Sequence, residues 1–169
     1  LTVDIKQKMS QPVFVWYELD NFYQNHNRYT TSFSDGQLLG DYSSTVSTCM
    51  PLKKSGNKDL FPCGLVANSM FNDVISLKNT DVTMRESNLA WASDHPEKYQ
   101  YLYETYPDIV SPLIGVKNEH FNVWFRLGGL SDFRKLYGRI TSSLSKGTTL
   151  EFEVKNNFNV DSFDGAKYL

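Results

Sequence analysis

At 169 residues, with a net charge of −2 and a pI near 5.9, the chain is long enough for one buried core. It carries no overall basic surplus, so nothing in its charge calls for a nucleic-acid partner. Aromatics at 14%, with ten glycines and six prolines, exclude a disordered tail or a coiled coil.

Taken in chain order, residues 2–8 alternate weakly, with Val3 and Ile5 on one side, and predict a strand. Residues 13–19 alternate clearly: Val13, Val15, Tyr17 and Leu19 share one face of a strand, and Phe14, Trp16 and Glu18 share the other. The outer face is therefore also aromatic. Residues 21–28 predict a helix capped by Asp20, and weaker helices are expected over 69–77 and 96–103. Phe121, Val123, Phe125 and Leu127 alternate with Asn122, Trp124 and Arg126, which predicts a second strand over 121–127. Between 131 and 144, Phe133, Leu136, Tyr137, Ile140 and Leu144 form the stripe of an amphipathic helix, with Ser131 as N-cap. Its opposite face, Arg134, Lys135 and Arg139, reads as solvated. Leu150, Phe152 and Val154 alternate with Glu151, Glu153 and Lys155 as a last strand, and Asn156-Asn157 follows as a turn. No repeat or linker divides the chain, so residues 1–169 read as a single domain.

Cys49 and Cys63 are the only cysteines, and they flank a loop containing Pro, Gly and Lys. A disulfide is the leading reading and implies an oxidising compartment; two free thiols are the alternative. A zinc site would need two further ligands, and His26, His95 and His120 lack the spacing for one. No metal and no cofactor are expected.

Catalytic motifs are missing from the sequence: there is no nucleophile elbow, no H-E-x-x-H and no P-loop. Asp20, Asp35, Asp73, Asp94 and Glu119 could supply a glycosidase pair, but sequence places no two of them together. Gly128-Gly129 reads as tight packing at a corner. No catalytic residue is assigned, and the chain is not expected to be an enzyme.

Two stretches dense in aromatics, Asn and Arg stand out instead, YELDNFYQNHNRY at 17–29 and FRLGGLSDFRKLYGRI at 125–140. Large aromatics beside guanidinium and amide groups suit recognition of a partner. Tyr23, His26, Arg28, Trp124, Arg126, Arg134 and Arg139 are the candidate interface residues, while Tyr17, Phe22, Phe133 and Tyr137 are assigned to the core. The alternative is a carbohydrate-binding β-sandwich in which Trp16, Trp91 or Trp124 stacks on sugar rings.

Five blocks occur in an order that resembles one family: PVFVWYELDNFYQNHNRYTTSFSDGQLLG, PCGLVANSMFNDV, NLAWASD, FNVWFRLGGLSDFRKLYGRI and NNFNVDSFDGAKYL. It is similar to the cell division cycle protein 50 family, the accessory β-subunits of type-IV P-type ATPases, which are phospholipid flippases. The resemblance covers most of the chain. It implies an antiparallel β-sandwich with short helical and loop insertions, mainly β, lying on the luminal or extracellular side between two membrane helices outside this sequence. No run in the chain itself reaches the ~18 apolar residues of a membrane span, and no signal peptide is visible.

The resemblance further implies a heterodimer with the catalytic ATPase. It implies roles in that partner's export from the endoplasmic reticulum and in its transport cycle, with residence in the endoplasmic reticulum, Golgi, endosomes or plasma membrane. Cys49 and Cys63 match a disulfide of the family. Three departures stand beside the match, the first being that an additional upstream disulfide of many members has no counterpart in this sequence. No N-x-[ST] glycosylation site occurs, since Asn72-Asp73-Val74 ends in Val, and the segment between Trp91 and Phe121 is shorter than in many relatives.

Overall fold

The computed structural model of the chain describes residues 1–41, 47–94, 109–110 and 119–169. Two antiparallel sheets face each other across one core. The first joins β1 (Thr2–Asp4), β9 (Thr149–Lys155) and β5 (Val74–Leu77) in the order β1-β9-β5. The second, ordered β10-β2-β8-β6, joins β10 (Ala166–Tyr168), β2 (Val13–Asp20), β8 (Phe133–Ile140) and β6 (Met84–Arg85). A small third sheet pairs β3 (Lys54–Ser55) with β4 (Lys58–Leu60), and β4 in parallel with β7 (Ile109–Val110). The fold is thus mainly β, with the helices short: α1 (Asn27–Thr30), α2 (Asp35–Leu38), α3 (Leu65–Asn68) and α4 (Glu119–Phe125). Among the described residues no helix is long and apolar enough to cross a membrane.

The alternation read for β2 decides its two faces. Val13, Val15, Tyr17 and Leu19 are buried, whereas Phe14 and Trp16 are exposed. Their buried partners across the core include Ile75 from β5 and Leu150 and Phe152 from β9. Phe22, just beyond β2, lies edge-on to the rings of Tyr29, Trp124, Phe133 and Phe163, so the core is largely aromatic at this end.

Two expected elements exchange identity. The segment read as a helix over 131–144 is strand β8, and the segment read as a strand over 121–127 is helix α4. The cause of the first is a β-bulge. Val15 pairs with Gly138 but Trp16 pairs with Leu136, so Tyr137 is an extra residue without a cross-strand partner. A bulge shifts the side-chain alternation by one. Phe133, Tyr137 and Ile140 therefore all point inward, at spacings that imitate a helical stripe. Gly138 belongs to the same device, because a Cβ there would stand 2.8 Å from both Cγ and Sδ of Met84 on β6.

In α4, Phe121, Trp124 and Phe125 at i, i+3 and i+4 form the packed stripe, and the alternation with Val123 is incidental. The helix expected over 21–28 reduces to the single turn α1, capped by His26 rather than Asp20: the His26 Nδ1 accepts from the Arg28 N–H at 3.2 Å. The helix expected over 69–77 is replaced by α3, which ends before Ser69, and by strand β5. The weak strand at 2–8 is confined to β1, and the strand over 150–154 is β9. The helix expected over 96–103, and His95, lie outside the described residues.

Cys49 and Cys63 form a disulfide with Cα atoms 5.5 Å apart, and both are fully buried with Leu60 in a small satellite core. The bridge fastens the 50–62 loop beside α3. Gln37 of α2 supports it, its Oε1 accepting from the Cys63 N–H at 2.8 Å.

Candidate functional site

The two aromatic and Arg-rich stretches lie side by side, stitched by the amide side chains and backbone of the first. The Phe22 N–H donates to the Ser131 carbonyl at 3.0 Å, and the Asn21 N–H to Asp132 Oδ1 at 3.1 Å. Gln24 Oε1 accepts from the Gly128 N–H at 2.7 Å, and Asn25 Nδ2 donates to the Gly129 carbonyl at 2.9 Å. A hydrogen bond between the Asp20 and Asp132 carboxyls pushes the Asp20 pKa up and holds that of Asp132 down. Much of the polar content of both stretches is thus spent on joining them. The corner-packing expectation for Gly128-Gly129 holds at Gly128, where a Cβ would lie 2.7 Å from the Phe133 ring, but not at Gly129, where a Cβ would meet nothing within 4 Å.

One pocket collects the basic residues that remain. It has a volume of about 210 Å³ and opens where β6 leaves the edge of β8 uncovered, between the outer face of the second sheet and the C-terminal end of α4. Trp16, Leu89, Trp91 and Leu136 supply its apolar lining, and Arg126, Arg134 and Lys135 supply positive charge.

Each arginine has its own counter-ion. Arg134 Nε donates to Glu18 Oε2 at 2.6 Å, across the β2–β8 pair. Arg126 Nε donates to Asp94 Oδ2 at 2.6 Å, and its guanidinium stacks on the Trp91 ring 4.0 Å from the centroid.

Lys135 differs from both. It is 5% exposed, its ammonium donates to the Arg126 carbonyl at the end of α4, and its Nζ lies 5.1 Å from the centre of the Phe133 ring. No carboxylate among the described residues reaches it. Burial without a counter-ion lowers its pKa from 10.5 to about 8.

The wall bearing Trp91 is fixed by Glu119, the first residue of α4. Its carboxylate accepts the backbone N–H groups of Asn88, Leu89 and Ala90 at 2.7, 2.5 and 2.9 Å, a geometry that suits an anion at a helix start. Among the described residues no cluster of His, Cys, Asp and Glu is arranged to hold a metal.

A family model described as the LEM3 (ligand-effect modulator 3) family / CDC50 family matches residues 1–169. The chain belongs to the CDC50 family. ALA-interacting subunit 3 of Arabidopsis thaliana is 38% identical over 178 residues, covering 98% of this chain and 51% of that protein. Cell cycle control protein 50A of Bos taurus is 34% identical over 98% of this chain and 56% of its own length, and cell cycle control protein 50B of Homo sapiens 33% over 94% and 56%. The CDC50-family chain described here spans about half the length of the curated relatives it matches.

The candidate interface residues fall into four groups in this CDC50-family chain. Arg126 and Arg134 meet in the pocket. Tyr23, at 57% exposure, His26 and Arg28 occupy the separate exposed surface around α1. Trp124 is fully enclosed, and its indole N–H donates to the Val66 carbonyl at 2.8 Å, so it can anchor the core but cannot touch a partner. Arg139 stands on the outer face of the second sheet beside Phe14, cross-strand from Arg85, and its buried Nε has no hydrogen-bond partner.

Lys135 was hidden in sequence among basic residues assigned to a solvated helix face. The strand assignment would have exposed it, because alternation in β8 sets Lys135 opposite Tyr17 on the inward side.

Proposed function

We propose that the chain is the luminal or extracellular domain of a non-catalytic accessory β-subunit of a phospholipid flippase. In this reading it binds the exoplasmic side of a type-IV P-type ATPase and is anchored through membrane helices outside the sequence given. The observation that carries the proposal is the family match across residues 1–169. The relatives named ALA-interacting subunits add that members of this family are subunits that interact with a partner. The disulfide agrees with a domain exposed to an oxidising compartment, such as the lumen of the endoplasmic reticulum or Golgi, or the cell exterior.

The subunit supports the ATPase's folding, its export from the endoplasmic reticulum and its transport cycle. A rigid domain does this by binding some conformations of the ATPase more tightly than others, since only a difference in affinity shifts an equilibrium. Tyr23, His26, Arg28, Arg126, Arg134 and Arg139 are the proposed surface contacts, with Trp124 supporting the domain from within the core. The test is purification of the full-length protein from mild detergent. A large P-type ATPase is expected to accompany it, and recovery of folded protein without one would overturn the assignment. Arg28→Ala and Arg134→Ala then ask which of the two surfaces contributes.

Carbohydrate binding remains the second reading because Trp16 and Trp91 are both exposed and share one pocket. A glycan-binding screen that found no ligand would remove it.

A further inference from the structure

The pocket beside Lys135 has a chemistry of its own, independent of the flippase assignment. Its charges do not cancel. The Arg134 and Arg126 guanidiniums are matched by Glu18 and Asp94, whereas the Lys135 ammonium on the same lining has no counter-ion among the described residues. Among the described residues that ammonium satisfies one of its three donors, on the Arg126 carbonyl. A lysine this enclosed is costly to keep charged unless an anion completes it.

The rest of the lining is flat or apolar. Trp16 and Trp91 stand 45% and 65% exposed at the rim, with Leu89, Val123 and Leu136 between them. One uncompensated cation selects a monoanion over a phosphate dianion, and about 210 Å³ admits a small molecule rather than a drug-sized one.

We propose that this pocket is a binding site for a small organic monocarboxylate, its carboxylate on Lys135 and its ring or apolar body between Trp16 and Trp91. Such a carboxylate could come from a free aromatic or aliphatic acid or from an acidic sugar, and both share the head group that Lys135 reads. Arg126 and Arg134 act at one remove, their ion pairs fixing the walls rather than taking the ligand. The indoles supply stacking area, with the Arg126 guanidinium already covering one face of Trp91.

Equilibrium dialysis of full-length protein in mild detergent with radiolabelled benzoate tests the site, with benzamide as the neutral control. One saturable equivalent of benzoate is expected, with benzamide at least about tenfold weaker. Lys135→Met should abolish binding, Lys135→Arg should retain part of it, and Trp91→Ala should weaken it while leaving the thermal melt in place, because Trp91 is exposed. Displacement by glucuronate at lower concentration than acetate would identify an acidic sugar as the source; the reverse order would identify a free acid. No saturable benzoate binding, equal binding of benzamide, undiminished binding to folded Lys135→Met, or stronger displacement by inorganic phosphate would each overturn the proposal. The ATPase co-purification is read separately, so failure of either inference leaves the other standing.

Discussion

Replacing Asp73 by Ala should be among the most damaging single changes in the chain. Its carboxylate is 2% exposed and has three donors to satisfy. Lys167 Nζ lies 2.5 Å from Oδ2, while the N–H groups of Asn157 and Phe158 donate to Oδ1 at 2.7 and 2.6 Å. Lys167 is itself only 18% exposed and sits on β10, paired with Leu19 of β2. Asp73 therefore ties the segment after β9 to the place where β10 must join the second sheet. Removing one member of a buried ion pair costs about 3–5 kcal/mol, because the remaining charge loses its counter-ion. Among the described residues Lys167 would keep only its neutral acceptors, Asn156 Oδ1 and the Phe158 carbonyl. For a domain of this length that corresponds to a fall in Tm of about 6–20 °C. Asp73→Asn should cost less, since its amide oxygen still accepts from the two N–H groups.

The assay is urea denaturation of wild type, both single variants, Lys167→Met and the Asp73→Asn/Lys167→Met double variant. The double variant should be more stable than the sum of the single changes predicts, by about 0.5–3 kcal/mol. A cost below about 1 kcal/mol for Asp73→Ala, or strict additivity in the cycle, would refute the reasoning.

Three further outcomes are expected. Tyr137→Phe removes the phenol that accepts the Ile75 N–H at 2.9 Å across the core, leaving that donor buried, and should cost about 1–3 kcal/mol in chemical denaturation. Replacing Cys49 and Cys63 by Ala opens a loop with a sequence separation of 14 and should cost about 3 kcal/mol, read as a shift in the denaturation midpoint under non-reducing conditions. Lys135 has a folded-state pKa of about 8 against an ordinary 10.5, so between those values the unfolded chain binds more protons and stability rises with pH. Lys135→Met should abolish this contribution, gaining about 3 kcal/mol relative to wild type at pH 7 and little at pH 11. A constant gap between the two proteins across that range would count against a buried, uncompensated ammonium.

The strands whose alternation is unbroken were legible in the sequence. β2 keeps a strict inward-outward order, and β9 keeps it through Leu150 and Phe152 before Val154 becomes exposed, so apolar periodicity alone located both and separated Tyr17 from the exposed Trp16. β8 was illegible for a local reason, the unpaired Tyr137, which changes the phase of alternation inside one strand. α4 was illegible because its apolar residues fit two patterns at once, Phe121, Val123, Phe125 the period of a strand and Phe121, Trp124, Phe125 that of a helix. Its burial against Val66 of α3 and Phe133 of β8, which sequence does not carry, decides between them. The candidate site was half legible. Residue chemistry singled out Arg126 and Arg134, but the ion pairs that neutralise them, and the lysine left over, depend on contacts between segments far apart in the chain.

The three N–H groups that Glu119 gathers at Asn88–Ala90 have a consequence for how the family can vary. They close the chain at the base of the stretch from 91 to 118, so the two ends of that stretch are held together whatever runs between them. Lengthening a loop whose ends are already fixed adds little closure entropy, about 0.6 kcal/mol for each doubling. Glu119 thus acts as a clasp, so that a change of length between the two ends leaves the start of α4 and the Asn88–Ala90 backbone in place.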